Sequence, residues 1–84
     1  MKKITVRYFA SIREAIGQGS EAVETSAATL GALRDELIAR GGAHASSLAR
    51  GRAVRMALDQ TLSDESATLA DGAEVAFFPP VTGG

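Results

Sequence analysis

Asp71-Gly72-Ala73-Glu74-Val75-Ala76-Phe77-Phe78-Pro79-Pro80-Val81-Thr82-Gly83-Gly84 contains, in one run, a turn, a strand, the end of that strand and a tail. Asp71-Gly72 marks a tight turn, and Glu74 to Phe78 then alternates, with Val75 and Phe77 on one face and Ala76 and Phe78 on the other, the period of a strand. Pro79 and Pro80 lack N–H donors and hold φ near −65°, so pairing stops at Phe78. At about 3.3 Å per extended residue, the four residues beyond the prolines reach about 13 Å from the domain, far enough to enter a partner's pocket. Without Cβ atoms, Gly83 and Gly84 can thread a narrow channel, and nothing shields the last carbonyl. The Gly84 carboxylate is ionised at neutral pH. It can attack the α-phosphate of ATP if another protein supplies nucleotide and metal, giving an acyl-adenylate. A frayed, functionless terminus is the plainer reading of any chain end. Two glycines in the last two places, however, arise by chance only about once in 200 chains at the background glycine frequency. The expectation is a folded domain over 1–80 and a flexible tail over 81–84. Val81, Thr82, Gly83 and Gly84 would insert into a partner, and Gly84 would carry the chemistry.

The remainder of the chain fits a handle for that tail. At 84 residues it makes one domain, burying only about 60–65% of the surface its unfolded chain exposes, which leaves little room for an internal active site. The formal net charge of −1 creates no field that would hold nucleic acid or an anionic membrane, so neither is an expected partner. Cysteine is absent, which removes disulfides, thiolate metal sites and a cysteine nucleophile. Met1-Lys2-Lys3 is not followed by an apolar signal region, and no apolar run approaches membrane-spanning length, so a cytoplasmic location is expected.

Going back to the start, Lys3 to Phe9 alternates, with Ile4, Val6 and Tyr8 on one face and Thr5, Arg7 and Phe9 on the other, as a half-buried strand does. Ser11 to Ile16 reads as a short helix capped by Ser11, with Glu14 three residues on and Gly17 closing it. Glu21 to Thr25 reads as a second strand antiparallel to the first. Thr29 supplies an N-cap hydroxyl to the main helix, in which Leu30, Leu33, Leu37 and Ile38 form one apolar stripe ending at Gly41-Gly42. Burial of those four side chains contributes on the order of 6–12 kcal/mol before entropy is subtracted. Ala43 to Arg52 reads as a loop with one helical turn that tucks Leu48 under the sheet. His44, the only histidine, is read as a solvated loop residue without a role. Val54 to Leu58 is a third strand, Asp59-Gln60 a two-residue turn, and Thr61-Leu62 a short fourth strand. Ser63 to Ala70 is a polar connection. Two strands, a helix and further strands give an α+β fold with a mixed sheet of four to five strands and one main helix on one face.

The 71–84 run resembles the C-terminal signature of the small subunit of molybdopterin synthase, the MoaD family of sulfur carriers. The likeness continues at Tyr8-Phe9-Ala10 and Ile12-Arg13-Glu14, while about Gly41 to Val54 adds nothing to it. The resemblance implies a ubiquitin-like β-grasp with the first and last strands side by side and parallel. It also implies a cycle. A ubiquitin-activating-like adenylyltransferase, which itself supplies ATP and Mg²⁺, adenylates Gly84, and a sulfur donor enzyme converts the adenylate to a thiocarboxylate. The large catalytic subunit of molybdopterin synthase then receives the tail, and sulfur passes to the cyclic pterin precursor to form the dithiolene. No cofactor or metal is expected to bind this chain, and by itself it would be no enzyme. Within this plan Phe78 and Phe9 project from the open face of the sheet beside the tail. Together with Leu62, Pro79, Pro80 and a rim residue, Arg13, they make an expected partner-docking patch. A thiazole-pathway sulfur carrier would share the fold and the diglycine but feed another acceptor. A purely structural ubiquitin-like interaction module would need no reactive terminus.

Overall fold

The computed structural model describes residues 1–80; the expectations for Val81, Thr82, Gly83 and Gly84 lie outside the described residues. In chain order the elements are β1 (Lys2–Tyr8), α1 (Ala10–Ile16), β2 (Ser20–Thr25), α2 (Leu30–Ala39), α3 (Gly42–Leu48), β3 (Arg55–Leu58), β4 (Thr61–Ser63) and β5 (Glu74–Phe78). The five strands form one mixed sheet in the order β2-β1-β5-β3-β4. β1 and β5 are parallel, with Thr5 beside Glu74 and Tyr8 beside Phe77. The other pairs are antiparallel.

The period-2 pattern sets which face is buried. Ile4, Val6 and Tyr8 of β1, Val75 and Phe77 of β5 and Met56 of β3 meet Leu30, Leu33 and Leu37 of α2, Ile12 of α1 and Leu48 of α3 in one core. Ile38, read as a member of the α2 stripe, is only partly buried at its margin. Thr29 caps α2 as expected, its hydroxyl accepting from the Ala32 N–H at 3.2 Å. Asp59 and Gln60 both take positive φ, 49° and 70°, the two-residue turn whose twist matches antiparallel strands.

Four local expectations need correction. β1 stops at Tyr8, and the extended residue at the start of α1 is Phe9, with no side-chain cap; Ser11 lies inside the helix. The chain turns into α1 one residue early because Ala10 adopts φ 51°, a left-handed conformation that costs an L residue about 1–2 kcal/mol. The segment read as a loop over Ala43 to Arg52 is largely the helix α3, entered through Gly41 and Gly42 at φ 78° and 57°. The two glycines therefore hinge one helix into another, and Leu48 is fully buried as expected. His44 is on that helix with a largely buried side chain. Lastly, the connection read as polar buries Leu69 and runs against the start of α2, where the N–H groups of Leu30 and Gly31 donate to Ala67 and Glu65 carbonyls at 3.1 and 2.9 Å. A Cβ on Gly31 would stand 3.0–3.2 Å from Glu65, so this approach favours glycine there, since any larger residue would push the Glu65 segment back by a few tenths of an ångström.

No helix among the described residues is long and apolar enough to cross a membrane.

Candidate functional site: the base of the tail

β5 delivers the chain to Pro79 and Pro80 at the end of the sheet where β1 also ends. The Phe9 N–H donates to the Phe77 carbonyl at 3.1 Å, carrying the parallel ladder one residue past β1 and setting Phe9 beside Phe78 on the open face. Phe9 is 39% exposed and Phe78 half-buried. The Arg7 guanidinium stands 5.4 Å over the Phe9 ring, a cation–π contact that orders the ring without hiding it. Arg55 pairs with Phe78 across β3 and β5. One row further in, Leu62, Ala57, Ala76 and Arg7 lie abreast across four strands, and Leu62 is 64% exposed. The open face thus has an apolar floor of small and aromatic side chains with arginines at its edge.

Arg13 is exposed on α1 and its side chain runs along the turn before β2, where a Cβ on Gly19 would stand 3.3 Å from its Nε. Pro79 and Pro80 are half-buried. Pro79 turns toward the helices, lining a groove of about 300 Å³ with Ser11, Ile12 and Ala15 of α1, Ser47 of α3 and Arg52-Ala53-Val54. The structure therefore brings Phe9, Phe78 and Arg55 together, places Leu62 two strands from β5, and sets Arg13 on the flanking helix. Arg55 and Arg52 were not singled out from sequence. The register of Val54 to Leu58 against Glu74 to Phe78 was the signal that could have found Arg55.

Beneath this site lies a polar cluster. Glu21 shares parity with Val23 in β2 and points to the helix side of the sheet. Its carboxylate accepts from the Tyr8 hydroxyl at 2.6 Å and from Arg40 at 2.8 Å, and His44 Nε2 lies 3.0 Å away. An ionised carboxylate can only accept, so Nε2 carries the proton in that bond. Tyr8 in turn stacks on Phe77, ring centres 6.3 Å apart, and meets His44 edge-on at 5.8 Å. Burial, reinforced by the bond to Glu21, pushes the Tyr8 phenol far above its ordinary range. Partial burial alone would raise Glu21, but the hydrogen bonds from Tyr8, His44 and Arg40 outweigh it and hold the carboxyl at about 2 rather than 4.5. His44 is therefore a fastener joining α3 to β2, correcting its reading as a solvated residue. The link Glu21–Tyr8–Phe77 steadies the end of β5 from which the tail departs.

A carboxyl depressed in the folded state contributes stability that is complete above its unfolded pKa, here 4.5, and lost as pH falls toward about 2. Glu21→Gln is expected to cost on the order of 3 kcal/mol at pH 7 and to flatten the loss of stability across that acid window. Urea midpoints measured from pH 7 to pH 2 check this; parallel curves for the two proteins would refute it.

Among the described residues no group of histidine or acidic side chains is arranged to hold a metal ion. The base of the tail offers an exposed apolar surface and, among the described residues, no nucleophile paired with a base.

Comparison with known proteins agrees with this geometry. Over 81 residues the chain is 42% identical to the molybdopterin synthase sulfur carrier subunit of Escherichia coli, covering 96% of this chain and 99% of the relative. It is 40% identical to the protein of that name in Haemophilus influenzae, with the same coverage. Among solved structures, a putative molybdopterin converting factor subunit 1 from Pyrococcus furiosus superposes with a TM-score of 0.79 at 27% identity, over 96% of this chain and all of the other. A protein–protein complex of subunits 1 and 2 of the molybdopterin-converting factor from Helicobacter pylori contains a chain matching at TM-score 0.68 and 26% identity, over 98% and 99% of the two. The ThiS family model matches residues 6–84, and the chain, a ubiquitin-like β-grasp with an arginine-rimmed apolar face where its last strand ends, belongs to the ThiS family.

Proposed function

We propose that this protein is the sulfur-carrier subunit of a molybdopterin synthase, working in the cytoplasm and using Gly84 as the point of sulfur attachment. The observation that carries the reading is near-full-length identity of about 40% to relatives named for that role, in a chain with the sequence Gly83-Gly84 at the end of 81–84. In the proposed cycle an activating enzyme brings ATP and Mg²⁺, and the Gly84 carboxylate oxygen displaces pyrophosphate to form the acyl-adenylate. A sulfur donor enzyme then supplies the sulfur that replaces AMP. The resulting thiocarboxylate enters the large catalytic subunit and gives its sulfur to the pterin precursor. Acid–base groups for that transfer belong to the partner. The Helicobacter pylori complex of subunits 1 and 2 supports a large-subunit partner, and the Phe9–Phe78–Leu62 floor with Arg7, Arg13 and Arg55 is the surface proposed to meet it. Aromatic and arginine side chains dominate the energy of such interfaces.

The family description alone also admits a carrier that serves thiazole synthesis. The names of the curated relatives favour the molybdopterin branch. Incubation with ATP, the activating enzyme and a sulfur source should replace one oxygen of the chain by sulfur, read by intact-mass spectrometry. Addition of the large subunit and pterin precursor should then return the carboxylate. Sulfur loading without discharge to that acceptor would point to the thiazole branch, and no loading at all would leave only an interaction module.

A further inference from the structure

The cationic side chains of this protein divide by chemistry and by place. Seven are arginines, and the two lysines are Lys2 and Lys3. Both lysines sit at the start of β1, where the Lys3 N–H donates to Asp71 and the Lys2 Nζ to the Ala27 carbonyl at 3.0 Å. Because β1 and β5 are parallel, that is the opposite end of the sheet from the tail. From Lys3 to Phe9 the strand rises about 20 Å, which the tail's reach of about 13 Å beyond Pro80 does not cover. Around the base of the tail every cation is a guanidinium: Arg55 opposite Phe78, Arg52 in the groove with Pro79, Arg7 over Phe9 and Arg13 on α1.

We infer that these arginines determine which nucleophile an activated Gly84 meets, supplying positive charge for docking while offering no amine that could consume the acyl group. The inference rests on the activation of Gly84 proposed above. A lysine has an ordinary pKa near 10.4, so about one amine in a thousand is free at pH 7.4, and an intramolecular reaction needs no more, since effective molarities in such systems are very large. The free ε-nitrogen would bond to the Gly84 carbonyl carbon as the bond from that carbon to the AMP phosphate oxygen breaks. AMP leaves with the electron pair, and the nitrogen gives its extra proton to water. The product is an isopeptide, and the carrier is lost to further cycles. Arginine stays protonated in proteins and has no lone pair to offer. The activated terminus therefore survives until a partner presents a sulfur nucleophile.

The test uses the full chain with a thioester at Gly84, made by thiol cleavage of an intein fusion and held at pH 8. The native sequence and Gln60→Lys, which puts an amine in the β3–β4 turn away from the tail, should both decay to the free acid at one slow rate. Arg55→Lys and Arg52→Lys should lose the thioester at least about tenfold faster. They should yield a species lighter than the free acid by one water, in which a tryptic branched peptide joins Gly84 to the introduced lysine. Hydrolysis at the native rate in both variants, or internal joining of Gly84 to Lys2 or Lys3 in the native chain, would overturn the inference. A parallel incubation of the unmodified chain with activating enzyme, ATP and Mg²⁺ reads pyrophosphate release. Its absence removes the activation reading, whereas release accompanied by no branching in the thioester experiment removes this inference alone.

Discussion

A chain ending at Gly83, or extended by one uncleavable residue after Gly84, is expected to melt at the native temperature and to support no molybdenum-cofactor synthesis in cells lacking the native gene. Both halves follow from the architecture. The core runs from Ile4 to Phe77, and β5 ends at Phe78, so a change at position 84 removes no packed side chain known to hold the fold. The chemistry, by contrast, depends on where one carbonyl carbon stands. Beyond the prolines each residue contributes about 3.3 Å of reach, and a misplacement of about 1 Å in a positioned reaction can cost a hundredfold in rate. Losing or adding a residue shifts the acyl group by several times that distance, and the added residue also replaces the glycine carboxylate by an amide. Reconstituted synthase should fall below about 1% of native turnover, with binding of the large subunit reduced far less, because the Phe9–Phe78 floor is intact. Turnover by either variant above a tenth of native would mean that Gly84 is not the reacting residue.

The fold was legible where it depends on neighbours in sequence. Alternation in Ile4-Thr5-Val6-Arg7-Tyr8 and in Val75-Ala76-Phe77-Phe78 assigns faces correctly because a strand's period is fixed by backbone geometry. Thr29 is an effective cap because its partner is only three residues away. The parallel pairing of β1 with β5 came from family resemblance, since no local pattern encodes a pairing across most of the chain. What failed was the middle. In α3, Leu48 is the only large apolar residue, too little to create a helical period. The helix is held by tertiary bonds to residues far away in sequence, His44 to Glu21 and Arg34 to the carbonyls of Leu48 and Ala49. A signal was present nonetheless. Leu30, Leu33 and Leu37 define a stripe whose i+4 position is Arg34, and a charge inside an apolar stripe has to find partners within the protein.

Replacing Arg34 by methionine is expected to cost about 3–5 kcal/mol, the largest stability effect of any single substitution considered. Arg34 is 4% exposed. Its guanidinium donates to the Leu48 carbonyl at 2.7 Å, to Ala49 at 2.8 Å, to Arg52 at 3.2 Å and to the Glu65 carboxylate at 3.0 Å. Methionine fills much of the same volume but strands those carbonyls, and each polar group left buried without a partner costs about 1–3 kcal/mol. Glu65 adds little to this cost, since its side chain is 40% exposed and keeps Arg50 as a partner. Arg50 does not replace the lost bonds, because it is already shared among Asp35, Glu65 and the Gly31 carbonyl on the outside of α2. Arg34→Lys should recover only a minor part, since an ammonium on a single stem cannot span carbonyls on three residues. In an 84-residue domain a loss of this size corresponds to a fall in melting temperature of at least about 12 °C, and urea midpoints should fall with it. The consequence extends to function, because the segment freed includes Arg52, which with Ser47 and Val54 forms the wall against Pro79. In a milder variant such as Arg34→Lys, amide exchange over 48–54 should therefore accelerate before that of β1 or β5, and affinity for the large subunit should fall with it. A methionine variant within 1 kcal/mol of native stability would show that the segment is held by packing of Leu48 alone and that the guanidinium is dispensable.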